Sequence, residues 1–434
     1  MPGVRVLVAG LLLAVPGSSL AGCSGSAPPD DPDAAPTAAA PAPPDVVRRL
    51  TRALDRRAEA VRRADAAAFE AGLARGRPDF LREQRVWFAG VTQLPLGRLD
   101  YVVDRASLTR VAGGEYWVVV ERRLQLEGYD AVPVTTPDRF RFTPAPGRPG
   151  RFLLASTTDR DWEAAHPVDL PPWDTGRIEV RTGAGVLGIF DAGSVPAADG
   201  VVAAVERGLA DVAAVVPYPW SRSVVVYALS DTEFLTGLED LPGGDPERVD
   251  GVAFPVPATP AGGRVAATRI VFHPRLLDRP GPQRDRLIRH ELTHVALGER
   301  DDVVPLWLSE GLAEYVSVRP LAPEDRMIAP AAVERAAEGL DALPPDGTFN
   351  DEDSSVHYAV AWWACEYLAD SLGEPVLWTL LDAMGEPGAD PGRVLQERTG
   401  VGPDELVGRA ARLILARYPV SGSAPGSPPG APAS

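Results

Sequence analysis

The chain has 434 residues, 43 of them basic and 60 acidic, for a formal charge of −17. Every basic residue is arginine, so acidic a chain is a poor partner for nucleic acid, and a hydrophobic share of 45% with 24% charged residues excludes wholesale disorder. Two cysteines, Cys23 and Cys365, are too few for a disulfide scaffold, and no apolar run after residue 22 reaches the roughly 18 residues that a membrane-spanning helix needs.

Near the start, Arg5 precedes an apolar run at 6–15 that is too short to span a bilayer but suits the central segment of a secretory signal. The run leads to Leu20-Ala21-Gly22-Cys23. This resembles a bacterial lipobox, in which small residues fit the signal peptidase and the cysteine is diacylated before cleavage. Residues 1–22 are therefore expected to be a lipoprotein signal peptide. The stretch 23–44 would be a lipidated Cys23 and a disordered tether, because its Pro, Ala, Asp and Ser cannot bury a core. The body would hang from the extracytoplasmic face of a bacterial cell membrane, and 419–434 reads as a disordered tail.

Residues 45–92 follow a helical period, with Val47, Leu50, Leu54, Ala58 and Val61 on one stripe and a second short helix at 78–88. From residue 99 the period shortens to that of strands, at 99–103, 115–126, 139–143 and 152–156, with turns at Gly113-Gly114 and Pro146-Gly147. Helices followed by an antiparallel meander make 45–165 an α+β unit. The order resembles the NTF2-like cone by arrangement alone. Domains of that kind can hold a ligand or simply mediate contacts; no catalytic constellation falls in this one, and its expected role is packing or spacing.

A Pro-rich joint at 167–173 leads to a second unit, 174–418. Strands are expected at 178–180, 186–190, 223–228 and 268–272, and helices at 197–215 and from about Gln283. Beyond residue 300 the pattern is helical almost to Tyr418, and 240–250 reads as a surface loop. The whole is thus α+β, with a small mixed sheet, a central helix and a C-terminal helical subdomain. Cys365 reads as a packed thiol, the tryptophans as core, and His166 and His273 as solvent-facing or structural.

The strongest signal is His290-Glu291-Leu292-Thr293-His294, an H-E-x-x-H run that chance would produce roughly 0.004 times in a chain so poor in histidine. On a helix, positions four apart lie one turn above each other, so both imidazoles can reach one Zn²⁺. Glu291, about 100° around, points beside the metal, where it can take a proton from a zinc-activated water as general base. Two histidines leave the site one ligand short. Position 300, where a third histidine would complete one known pattern, is arginine. Asp301 and Asp302 are conceivable ligands but look like a solvated loop. Glu310, in the apolar helix start Trp307-Leu308-Ser309-Glu310-Gly311-Leu312-Ala313-Glu314-Tyr315, is the better candidate.

These paired segments resemble the gluzincins, specifically the peptidase MA-like group related to the M1 aminopeptidases and thermolysin, over residues 178–417. The resemblance implies a thermolysin-like zincin domain, Glu310 as the third zinc ligand, and Glu314 as the carboxylate behind His290, a support that a zinc imidazole normally needs. It also implies a tyrosine at the start of a later helix as donor to the oxyanion of the attacked carbonyl, which nominates Tyr358, with His357 as the alternative. The Met-Glu-Asn segment by which M1 aminopeptidases read a free amino terminus does not occur, so an endopeptidase fits better than an exopeptidase. The expectation is a membrane-anchored zinc metallopeptidase acting on peptide or protein substrates. Two competing readings are a non-catalytic zinc-binding lipoprotein serving as a binding or assembly module, and a zinc hydrolase of non-peptide amides.

Overall fold

The computed structural model describes residues 44–238, 246–247, 249–277 and 279–419. The expectations for 1–43 and 420–434, the lipidated Cys23 included, lie outside these residues, as does most of 240–250. Among the described residues no helix is long and apolar enough to cross a membrane.

Helix α1, Pro44–Arg62, buries the stripe Val47, Leu50, Leu54, Ala58 and Val61. It stops where Ala64 adopts a left-handed φ of 51°. The Asp65 side chain then caps a five-residue helix, Ala66–Glu70, by accepting from the Ala68 N–H. Helix α2, Pro78–Val91, follows, with proline in its first turn. The helical period over 45–92 thus resolves into three helices.

Strands β1 (Leu96–Val103), β2 (Tyr116–Leu126), β3 (Val134–Pro144) and β4 (Phe152–Ser156) form an antiparallel sheet in chain order, and the two-residue strand Thr109–Arg110 adds to β2. Even-numbered residues of β2 face the helices: Tyr116, Val118 and Val120 are buried there. Farther along the same face the register sets Arg122 opposite Tyr101 and Asp138 opposite Val120. The inner face is therefore apolar at one end and carries charge at the other.

The second sheet is mixed. Strands β5 (Glu179–Gly183), β6 (Val186–Phe190), β7 (Val224–Ala228), β8 (Gly251–Pro257) and β9 (Val265–Phe272) lie in the order β5-β6-β7-β9-β8. The inner pairs β6-β7 and β7-β9 are parallel, and the two outer pairs antiparallel. Helix α3, Ala198–Val215, joins β6 to β7. Strand β8 is absent from the sequence expectation because Pro255 and Pro257 cannot donate to a ladder; proline survives in a sheet on an edge strand, which is where β8 lies.

Every residue of β6 and β7 is buried, so the sheet is covered on both faces. Val224, Val226 and Ala228 join the helical core, whereas Leu187, Ile189, Val225 and Tyr227 join the core of the first unit. Between them Trp173, 2% exposed, fills the seam. Arg269 on β9 donates to Asp130 of the β2–β3 loop at 3.2 Å and to the Tyr227 hydroxyl at 2.5 Å. The joint at 167–173 separates two sheets but not two cores.

The chain ends in the expected helices, of which α4 (Pro282–Leu297), α5 (Leu306–Val318) and α6 (Ser354–Leu372) carry the candidate residues. Cys365 is fully buried, in agreement with a packed thiol. His273 is also buried and accepts from the Arg275 N–H through Nδ1, a structural role, while His166 is exposed and stacks on Trp162.

Candidate metal centre

Helix α4 packs Ile288, Leu292 and Ala296 into the core against α3. The approach is close at Gly208, where a Cβ would stand 2.8 Å from Leu292 Cδ1 and 3.0 Å from Ile288 Cγ2. That anchoring turns His290 and His294 toward a cleft of about 770 Å³ bounded by β8, α5 and α6. Helix α5 is fixed in turn by Gly311, where a Cβ would lie 2.6 Å from the Ala361 carbonyl oxygen on α6. Only glycine allows that approach, and it brings the preceding residue, Glu310, to the histidines.

The three donor atoms form a triangle. His290 Nε2 is 3.1 Å from Glu310 Oε2, His294 Nε2 is 3.5 Å from the same oxygen, and the two nitrogens are 3.2 Å apart. A tetrahedral ion with bonds of about 2.0–2.2 Å sets neighbouring ligand atoms roughly 3.3–3.6 Å apart, so the triangle needs to widen by only a few tenths of an ångström on two edges. Nδ1 of His294 lies 2.6 Å from Asp301 Oδ2, and Nδ1 of His290 lies 3.3 Å from Glu314 Oε1. A carboxylate only accepts, so Nδ1 of His294 is the donor to Asp301, while Nδ1 of His290 faces Glu314 without a formed hydrogen bond; with the protons on the Nδ1 side, each Nε2 turns a lone pair inward. Three lone pairs converging in a buried site repel one another unless a cation sits among them. The set His290, His294 and Glu310 therefore fits a metal ion.

The electrostatics agree. Burial opposes the charge on Glu310, but the two imidazoles outweigh it and hold the carboxyl far below the usual carboxylate range. Burial likewise opposes the charge on Glu314, yet Arg286 and His290 hold its carboxyl down at about 2. Burial disfavours the imidazolium form of His290, but Glu310 and Glu314 hold its pKa up at about 10. His294 is raised well above the ordinary value in the same way, by Asp301 and Glu310. The cluster demands positive charge at its centre, which protons or a metal ion can supply.

Two further carboxylates brace it. Asp301, exposed to the Nδ1 side of His294 and not to its Nε2, stands behind the ring and accepts from the Ser309 hydroxyl through its other oxygen. Its neighbour Asp302 is exposed on the cleft wall. The sequence expectation for Asp301, either a ligand or part of a solvated loop, is corrected: the 3-10 turn Gly298–Val303, entered through Gly298 at φ 57°, folds it back onto α4. Glu314 is held by Arg286, whose guanidinium lies 5.0 Å over the Trp362 ring.

Glu291 lies beside the triangle rather than in it, on the same cleft, and accepts from the Ala253 N–H on β8 at 2.7 Å. Burial pushes its carboxyl up, against the pull of both imidazoles. Tyr358 lines the same cleft, its ring 5.9 Å from that of His290 and edge-on to Phe349 at 5.1 Å. Burial, reinforced by the nearby Glu310 and Glu291, raises its hydroxyl well above the ordinary value and keeps it protonated. His357 is not brought to the cleft: its Nδ1 faces the Phe349 carbonyl at 2.9 Å. One residue is about 100° of helix rotation, and α6 spends that rotation on pointing Tyr358 inward. No protein-family model matches the chain, and no curated protein matches it.

Proposed function

We propose that the chain is a zinc metallopeptidase of the gluzincin kind, held on the extracytoplasmic face of a membrane by a lipid on Cys23. The observation that carries the proposal is the convergence of His290, His294 and Glu310 within 3.5 Å, with a fourth side chain, the buried carboxylate Glu291, beside them but not among them. Two imidazoles and one carboxylate are a donor set that suits zinc and leaves a position open. The mixed sheet with an antiparallel edge strand against the H-E-x-x-H helix supports a thermolysin-like domain, and the helices and sheet of the first unit support an NTF2-like cone.

His290, His294 and Glu310 would hold the ion, which when bound would supply Lewis acidity and make a water in the cleft a stronger acid. Glu291 is the base: the Ala253 N–H fixes its carboxylate, and a pKa raised by burial brings it nearer the range in which a proton is taken and handed on. Tyr358, kept protonated, donates to the carbonyl oxygen as charge develops on it. Strand β8 borders the cleft. On the side that Ala253 turns to Glu291, the next outward positions are Pro255 and Pro257, which have no N–H. An extended peptide would lie there as a donor to carbonyls, and with no Met-Glu-Asn segment to bind a free amino terminus, endopeptidase cleavage is the better fit.

Replacing Glu291 by Gln should leave zinc stoichiometry unchanged and reduce hydrolysis of a broad peptide library by a factor of about 10² to 10⁴. Retained hydrolysis would overturn the mechanism. Wild-type protein that holds zinc and cleaves no peptide would favour the binding-module reading.

A further inference from the structure

The first unit carries a cavity that the proposed peptidase chemistry does not use. It measures about 800 Å³ and opens on the inner face of the first sheet, at the end where Arg122 and Asp138 interrupt the apolar core. Trp87, Tyr101, Phe140 and Trp162 line it. At its wall lies Arg57 of α1, 9% exposed. Among the described residues every hydrogen-bond partner of that guanidinium is neutral: Nη2 donates to Gln84 Oε1 at 2.6 Å and Nε to the Tyr101 hydroxyl at 3.3 Å, while Nη1 is buried without a partner. Its carbon sits 4.5 Å from the ring centres of both Phe69 and Trp87. Among the described residues no carboxylate pairs with it. The neighbouring Arg122 is a contrast, since it is matched by Asp174 through both terminal nitrogens.

A buried cation with no counter-ion and a donor aimed at no acceptor is costly unless a ligand completes it. Asp138 faces the same cavity, but burial pushes its carboxyl up to about 7, so it is only partly charged at neutral pH. We infer that this cavity binds a small organic acid, its carboxylate on Arg57 and its apolar, flat body among the aromatic rings. The volume suits a ligand of drug-like size, and the rings suit a planar body. The first unit would then be a ligand-binding module, beyond the spacer role its sequence suggests.

Calorimetric titration of the protein with 1-naphthoate and with the neutral 1-naphthamide, of the same shape, tests this. The acid should bind at least about tenfold more tightly than the amide, and Arg57→Gln should bring the acid down to the amide's affinity without changing the amide. Chelating the metal should leave acid binding intact, since the site is separate from the histidines. If Arg57→Gln does not fold, Trp162→Ala at the half-buried mouth takes its place and should weaken both probes alike. Equal affinity for acid and amide, no binding of either, full acid affinity in Arg57→Gln, unchanged affinities in Trp162→Ala, or loss of acid binding on chelation would each overturn the inference.

Discussion

Replacing Asp301 by Ala removes the carboxylate behind His294 without touching a donor atom of the triangle. The contact is short, 2.6 Å from Nδ1 to Oδ2, and both side chains are about 15% exposed or less, so solvent screens it little. A hydrogen bond to a charged group contributes about 1.5–3 kcal/mol net, and each 1.4 kcal/mol is a factor of ten. With that support gone, His294 is free to rotate or to change tautomer, and zinc affinity should fall roughly 10- to 100-fold, the usual effect of losing a carboxylate behind a metal-bound imidazole. Competition against a chromophoric chelator at pH 7.5 measures this directly. Asp302→Asn is the control: it changes the adjacent charge but no imidazole partner, and affinity should stay within about twofold. If Asp301→Ala binds zinc as tightly as the wild type, the assignment of Asp301 as the group that orients His294 is wrong.

Tyr358→Phe should lower kcat by about 10² to 10³ with zinc retained, as removal of one oxyanion donor does, whereas His357→Ala should change kcat by no more than a few-fold; the opposite pattern would transfer the role to His357. Asp130→Ala leaves Arg269 buried without its carboxylate and should cost about 3–5 kcal/mol, read by urea denaturation as one earlier transition for both units. A loss below about 1 kcal/mol, or a second transition left in place, would contradict a shared core. Zinc stabilisation should depend on pH. In chelated protein the raised His290 contributes stability that is complete below about 6.5 and is lost as pH rises through about 10, while the depressed Glu314 contributes above about 4.5 and is lost as pH falls through about 2. Zinc must displace the imidazole protons, so the gain in Tm on adding it should be larger at pH 8 than at pH 5.5, and an equal or smaller gain at pH 8 would refute the assignment.

The general α+β class, most of the strands and the pair His290 and His294 were legible in the sequence, because each depends on a period that the backbone alone imposes. Helix stripes repeat every three to four residues, strands alternate, and residues four apart on a helix meet whatever surrounds them. The helix that carries Glu310 was legible for the same reason, and its role came from the resemblance of its motif. Strand β8 was not, since Pro255 and Pro257 break the local signal and only its place at the sheet edge makes them tolerable. Nor was Asp301, whose two-aspartate loop has the composition of a solvated turn until the reversal at Gly298 folds it onto α4.

Which of His357 and Tyr358 faces the cleft turns on the rotation of α6 about its axis, which its packing against α5 at Gly311 sets. The common core of the two sheets was equally hidden: the strands β6 and β7 read as apolar on both faces, but nothing local says that one face meets helices and the other meets the first unit. Local periodicity needs only the geometry of a single segment. Which carboxylate stands behind which imidazole, and which guanidinium is left without one, is decided when segments far apart in the chain are pressed together and their polar atoms can no longer turn to water.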